Sequence, residues 1–482
     1  MPYAADPIVM LSARALSQAI HGGEVSCRQV MAAYLAHIAQ VNPGSNAIVA
    51  MRDEAALMAE AAAADEALAA GRSAGWMHGM PQAPKDLAMT RGIRTTFGSP
   101  IYKDNVPTID AIVVERARRA GAILIGKTNT PEFALGSQTH NPVFGTTLNP
   151  YDTTKTAGGS SGGAGAALAL HLLPVAVGTD HTGSLRNPAA FNNLFSLRPG
   201  YGRVPAEGPD PFNSGMSQIG PIARNVPDLA QTLAVLAGYD ARVPLSIRQD
   251  PAQFAAPLTG EVRGKRVAWA GDLVSAVLPF EPEVLDLCRT AVARLAELGC
   301  IVEEAAPDFP VEQLYPSWQK LRAWQVGATL GDLGRDPERR AQLSEPARFE
   351  LGLFDRLSAA DINAASNVRG AWYQAVRQLF ERYDYFVLPS AQVFPFDAAT
   401  HWPREIAGWP MDTYYRWMEA MIPVTMAGCP TVNVPAGFNQ AGLPMGLQIM
   451  APNHAEMACL ELAHAYDQLT RWVERHPPPM LA

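Results

Sequence analysis

The stretch from Thr156 to Pro188, TAGGSSGGAGAALALHLLPVAVGTDHTGSLRNP, constrains the fold of this chain more than any other. Glycine tolerates positive φ and lets another backbone come close, so Gly158, Gly159, Gly162 and Gly163 around Ser160 and Ser161 read as a shaped loop. A flexible linker would not run straight into AALALHLLPVAVG. That apolar run suits a buried helix followed by a short strand, and it is too short, and too interrupted by His171 and Pro174, to span a bilayer. A second glycine-serine turn, Gly183-Ser184, closes the stretch. Two serines therefore stand at the two ends of one buried element.

The chain has 482 residues, 48% apolar and 17% charged, enough to bury a large core. A net charge of −8 without a basic run argues against nucleic acid as a partner and for a small molecule. Cys27, Cys288, Cys300, Cys429 and Cys459 lack CxxC spacing, which disfavours a zinc motif or disulfide framework and points to a reducing compartment. The N-terminus has no basic region followed by a long apolar one. A cytoplasmic protein without membrane attachment is expected.

In chain order, Ser12 and Ser26 precede apolar-periodic runs that end at Gly22-Gly23 and Pro43-Gly44, and Val30, Tyr34, Ile38 and Val41 share one face of the second. The alanine-rich run 52–70 completes a helical layer. IDAIVVERARRAGA reads as a helix leading to the strand-like ILIGK, and VPDLAQTLAVLAG as an amphipathic helix before a compositional break at 240–262. Strand, helix and strand (RVAWAG, 282–298, IVEEA) then restore an α/β alternation. Residues 311–420 hold Trp318, Trp324, Trp372, Trp402, Trp409 and Trp417 with Tyr414 and Tyr415, which suits both a helical core and a lid over an apolar substrate. FVLPS, TVNVPAG and MGLQIMAP read as strands, and AEMACLELAHAYDQLTRW as a closing helix.

A serine hydroxyl needs a base to become a nucleophile near neutral pH. Gly158-Gly159-Ser160-Ser161-Gly162 matches G-x-S-x-G, which would make Ser160 the nucleophile of an elbow. Its context disagrees, because an elbow follows a buried strand and DTTKTA (152–157) is polar and turn-forming. GGSSGGAG also lacks the Lys-Ser/Thr pair of a phosphate-binding loop. In the alternative, Ser184 is the nucleophile and Ser160 a relay, with the N–H groups of the Asp180–Ser184 turn forming an oxyanion hole. Lys85, in QAPKDL, would be the base, which requires burial to lower its pKa.

Lys85-Asp86, GKTNTPEFALGSQTHN, TAGGSSGGAGAALA and GTDHTGSLRNPAAF together resemble the amidase-signature family. SLRPGYGRVP, SQIGPIARNVPDL and GCPTVNVPAGFNQAGLPMGLQIMAP extend the resemblance over most of the chain, least over 311–420. It implies one α/β domain over 1–482, with a mixed central β-sheet covered on both faces by helices and 311–420 as a variable, aromatic-rich helical insertion beside the substrate pocket. By position it implies a Ser-cisSer-Lys triad of Ser184, Ser160 and Lys85, with the N–H groups of His181, Thr182, Gly183 and Ser184 as the oxyanion hole. Asp180 and Arg186 then form an ion pair bracing the turn, and Ser161 bonds loop backbone or Asp180. Lys127 and Asn129 resemble structural positions. This chain departs from the family in placing Thr182-Gly183 where two glycines are usual, His181 before them, and Pro84 where an apolar residue usually precedes the lysine.

The resemblance implies hydrolysis of a C–N bond without cofactor or metal, and it allows a homodimer. Thr182 and the tryptophans favour an aryl amide, anilide or carbamate (urethane), with esters as a side activity. The alternative is the glutaminase-type component of a tRNA-dependent amidotransferase, against which DHTGS and the aromatic region speak.

Overall fold

A computed structural model of the chain describes residues 5–208, 210–212 and 215–481. The first layer is helical. Ser12 Oγ accepts from Ala15 N–H to start α1 (Ala13–His21), and Ser26 with Gln29 forms a reciprocal capping box on α2 (Cys27–Val41). Val30, Tyr34, Ile38 and Val41 of α2 are all buried. Asp53 caps α3 (Glu54–Ala69), and α4 (Ile112–Arg119) follows after a long, mostly irregular segment.

The Thr156–Pro188 stretch folds as a loop, a buried helix α5 (Gly162–Ala169), strand β1 (Ala176–Asp180), a tight turn, and α6 (Arg186–Phe191). Strands β2 (Phe195–Arg198) and β3 (Gln218–Ala223) precede α7 (Val226–Leu236). Beyond 240–262 the same sheet resumes with β4 (Arg266–Trp269), α8 (Val284–Glu297) and β5 (Ile301–Glu304). Helices α9 (Leu314–Arg335), α10 (Glu345–Phe354) and α11 (Ala359–Leu379) come next, then β6 (Tyr385–Pro389), β7 (Thr431–Phe438), β8 (Pro444–Met450) and α12 (Glu456–Thr470).

The eight strands form one mixed sheet in the order β5-β4-β6-β8-β7-β2-β3-β1. β4 runs parallel to β5 and β6, and the other pairs are antiparallel. The region 311–420 is therefore not uniformly helical, since β6 lies inside it and Val387 pairs with both Trp269 and Ile449. The fully apolar β6 sequence, YFVLP, suits a strand buried on both faces. Trp318, Trp372 and Trp417 are buried, whereas Trp409 is exposed. No described helix is long and apolar enough to cross a membrane.

Candidate active site

Lys85 arrives from an extended segment beside the sheet. Pro81–Gln82 pairs with Ile123–Leu124, and the pairing continues as Thr128 N–H donating to Pro84 O and Asp86 N–H donating to Thr128 O. Pro84 fits this register because only its carbonyl is used. Asp86 is buried and accepts from Thr96 N–H at 3.0 Å and Thr96 Oγ1 at 2.5 Å, holding the loop beyond the lysine.

Lys85 Nζ lies 2.7 Å from Ser160 Oγ, 3.0 Å from Ser161 Oγ and 2.9 Å from Thr179 Oγ1. No described carboxylate touches it. Burial pushes the Lys85 amine well below its ordinary value, opposed only by the more distant charge of Asp180. Three hydroxyls around a buried amine can accept its hydrogens when it is charged and hand it a proton when it is neutral.

Ser160 follows a cis peptide bond from Gly159. Its loop is tied to the Ser184 turn on both sides: Gly159 N–H donates to Asn187 Oδ1 at 3.1 Å, and Thr179 N–H donates to Ser161 Oγ at 3.2 Å. A Cβ on Gly178 would come within 2.6 Å of Ser161 Oγ, so glycine is required for this approach. Ser161 thus pairs with Lys85 and the Thr179 backbone, not with Asp180.

Ser184 ends the turn after β1 and is buried. Asp180 shapes that turn, accepting from Gly183 N–H at 2.7 Å and Leu185 N–H at 3.2 Å. Gly183 is therefore the exception among the expected oxyanion donors: its N–H is directed at a carboxylate. The N–H groups of His181, Thr182 and Ser184 donate to no acceptor among the described residues.

Arg186 meets Asp180 side-on, Nε to Oδ2 at 2.9 Å and Nη2 to Oδ1 at 3.0 Å, as the expected ion pair. Burial alone would raise the Asp180 carboxyl, but Arg186 and Arg198 hold it below the usual carboxylate range. Arg186 also donates to Gln448 Oε1 at 2.6 Å and Thr425 Oγ1 at 3.0 Å, anchoring the turn to the sheet.

Lys127 donates to Ala88 O and Thr90 Oγ1, away from the serines, and burial pushes its amine down to about 7. Asn129 bonds Thr147 and Asn141. Both sit in hydrogen-bonded structural positions. Reading the sequence missed Thr179, the third hydroxyl on Lys85, although it stands next to Asp180. It also missed Arg198, Arg322 and Gln325, whose distance along the chain gives no signal, and it placed Trp318 in the aromatic region without its bond to Thr182.

Two cavities border the site. One of about 250 Å³ touches Lys85 and is largely apolar, walled by Leu87, Met89, Val113 and Ile219. The other, of about 90 Å³, is walled by Phe349, Trp402, Tyr414 and Trp417 and floored by Ser137 and Gln138. Ser137 and Gln138 pack against Gly159, where an added Cβ would stand 3.0 Å from Gln138 N. Ser137 Oγ and Gln138 Oε1 are buried without a partner among the described residues. His140 and His401 stack beside them with centroids 4.8 Å apart.

The chain belongs to the amidase-signature family of hydrolases: the Amidase family model matches residues 29–460, and the mixed sheet carries the buried amine and serine hydroxyls described above. It is an amidase, acting on C–N bonds. Among solved structures it is similar to a bacterial aryl acylamidase of that family, with TM-score 0.91 and 29% identity over 98% of this chain and 99% of the other. It is similar to 6-aminohexanoate cyclic dimer hydrolase with TM-score 0.84 and 25% identity, over 98% and 100% of the two chains. A component of the glutamyl-tRNA(Gln) amidotransferase of Moorella thermoacetica is 34% identical over 493 residues, covering 97% of this chain and 98% of that protein.

Proposed function

We propose that the protein hydrolyses a small aryl amide, anilide or aryl carbamate through an acyl-enzyme on Ser184. The observation that carries the chemistry is the 2.7 Å contact between Lys85 Nζ and Ser160 Oγ, with no described carboxylate touching the amine. Neutral Lys85 takes the proton of Ser160 as Ser160 takes that of Ser184, and Ser184 Oγ adds to the carbonyl carbon. N–H groups of His181, Thr182 and Ser184 hold the oxyanion. The C–N bond breaks as Ser160 returns a proton to the amine. Water then attacks the acyl-enzyme, gives its proton through the same relay, and releases the acid with Ser184 restored.

The aromatic cavity supports an aryl substrate, because Phe349, Trp402, Tyr414 and Trp417 offer ring faces and edges beside the loop of Ser160. Unpartnered Ser137 Oγ and Gln138 Oε1 supply polar contacts for an amide or carbamate group. A panel of nitroanilides, short-chain amides and aryl carbamates tests this reading. Aryl substrates should be cleaved with the higher kcat/KM, and Trp402→Ala should raise KM for them more than for acetamide; equal treatment of all three classes sinks it.

The similarity to the amidotransferase component, which runs along nearly its whole length, favours a second reading, a glutaminase-type role within such a complex. Activity of the purified chain alone on an aryl amide separates the two. Turnover of glutamine only with partner proteins would establish the second.

A further inference from the structure

Two residues before Ser184 carry side chains that the catalytic sequence does not use, and both are engaged from α9. Trp318, Arg322 and Gln325 stand at i, i+4 and i+7 of that helix and so share one face. Trp318 Nε1 donates to Thr182 Oγ1 at 3.0 Å. An indole nitrogen can only donate, so the Thr182 hydroxyl hydrogen is free to go elsewhere, and His181 Nδ1 lies 2.8 Å from that oxygen. Arg322 Nη1, also only a donor, faces the same Nδ1 at 3.4 Å.

These directions assign the imidazole. Nδ1 is the acceptor, and Nε2 carries the hydrogen, which it donates to Gln325 Oε1 at 3.1 Å. Gln325 Oε1 also accepts from Met216 N–H at 3.3 Å. A second hydrogen on Nδ1 would meet the Thr182 O–H and a guanidinium at once. Arg322 itself is fixed by Glu350 at 2.6 Å and by Tyr414 OH at 2.8 Å. Burial holds the imidazole well below its ordinary value, reinforced by the charges of Arg322 from α9 and Arg198 from β2 and opposed by the Gln325 bond and by Asp180 from β1; Glu350 stands behind Arg322.

We infer that His181 is a positioning residue: locked as an Nδ1 acceptor, it couples α9 through Thr182 to the turn and so sets the direction of the N–H groups that face the substrate oxygen. This role rests on the reading of Ser184 as nucleophile. It gives the aromatic region a second task, because α9, which bonds the cavity residue Tyr414 through Arg322, also aims the oxyanion donors. It also accounts for Thr182 where the family usually has glycine. Its hydroxyl is the middle link between Trp318 and His181.

Selective 15N-histidine labelling of the wild-type protein, with His181 assigned by His181→Asn, tests the locked tautomer directly. We expect a neutral Nε2–H imidazole from pH 5 to pH 8; an imidazolium or an Nδ1–H tautomer in that range overturns the inference. Misplacing reacting groups by an ångström costs about 100-fold, so His181→Ala should lower kcat on a nitroanilide by about that factor while KM moves less than about 3-fold. His181→Asn, whose Oδ1 can accept where Nδ1 did, should recover at least about 10-fold of the loss. Equal activity of the two variants, or a change confined to KM, overturns it. Labelling by a sulfonyl fluoride keeps the two readings apart. A wild-type enzyme not modified at Ser184 sinks the nucleophile assignment, whereas modification at Ser184 with His181→Ala fully active sinks the positioning role alone.

Discussion

The Lys85 amine and the Ser160 hydroxyl stand 2.7 Å apart on residues 75 positions apart in the chain, and both are buried. Such a pair needs no histidine. If it drives Ser184, the three side chains differ in what their loss removes. Ser184→Ala removes the nucleophile and should lower kcat by about 10⁵-fold or more. Ser160→Ala removes proton transfer and should cost about 10²- to 10⁴-fold. Single-turnover assays with a nitroanilide measure both, and mass spectrometry should find the acyl group on Ser184. An acyl group on Ser160 would restore the elbow reading.

The pH profile follows from the burial of Lys85. Its charged form is disfavoured, so its pKa lies well below that of a free lysine. Only the neutral amine accepts a proton, so kcat/KM should be flat at alkaline pH and fall tenfold per unit as pH drops through the Lys85 pKa. Lys85→Arg substitutes a guanidinium that does not deprotonate in this range. That variant should be inactive from pH 6 to pH 10, and an arginine enzyme with a wild-type profile would remove Lys85 from the mechanism.

Much of this site was legible because its parts are local. Glycine spacing marked the Ser160 loop and the Ser184 turn, and the apolar run between them could only be the buried helix and strand that α5 and β1 are. Lys85 was legible through resemblance, since nothing in QAPKDL itself states that a proline-flanked lysine lies against a loop 75 residues on. What stayed hidden depends on contacts set by tertiary packing. The Gly183 N–H reads as an oxyanion donor until the Asp180 side chain folds back under the turn to accept it. Trp318 reads only as one aromatic of a helical core or lid, and Gln325 carries no signal, until α9 docks on Thr182 and His181. Likewise β6 was visible as a strand, yet not its place in the middle of the sheet, because parallel pairing with β4 joins segments more than 110 residues apart.

Asp180 and Arg186 form a fully buried pair, and removing one partner of such a pair leaves a charge without solvent or counter-ion. Arg186→Ala should destabilise the fold by about 3–5 kcal/mol. Arg198, 3.5 Å from the same carboxylate, limits the damage. Arg186→Lys keeps the charge but not the side-on geometry or the bonds to Gln448 and Thr425, so it should fall between wild type and alanine. Urea unfolding at pH 7.5 ranks the three; an alanine variant within about 1 kcal/mol of wild type would show that Arg198 alone compensates Asp180.

Lys127 offers a test of buried charge apart from catalysis. Its amine is pushed down to about 7 in the folded protein by burial, with Asp86 and Asp110 opposing. Between that value and the usual lysine range the unfolded chain binds a proton that the folded protein has lost. Stability from this group therefore rises with pH through that window, by up to about 1.4 kcal/mol per unit, and falls again as pH drops toward 7. Buried tyrosines and cysteines with raised pKa values act in the opposite sense at the alkaline end, so the comparison must be with Lys127→Met and not with wild type alone. Urea midpoints of the two proteins at pH 7 and pH 9 should diverge, the wild type gaining on the methionine variant as pH rises. Parallel midpoints would mean that Lys127 stays charged in the fold, held by Ala88 O and Thr90 with the help of Asp86.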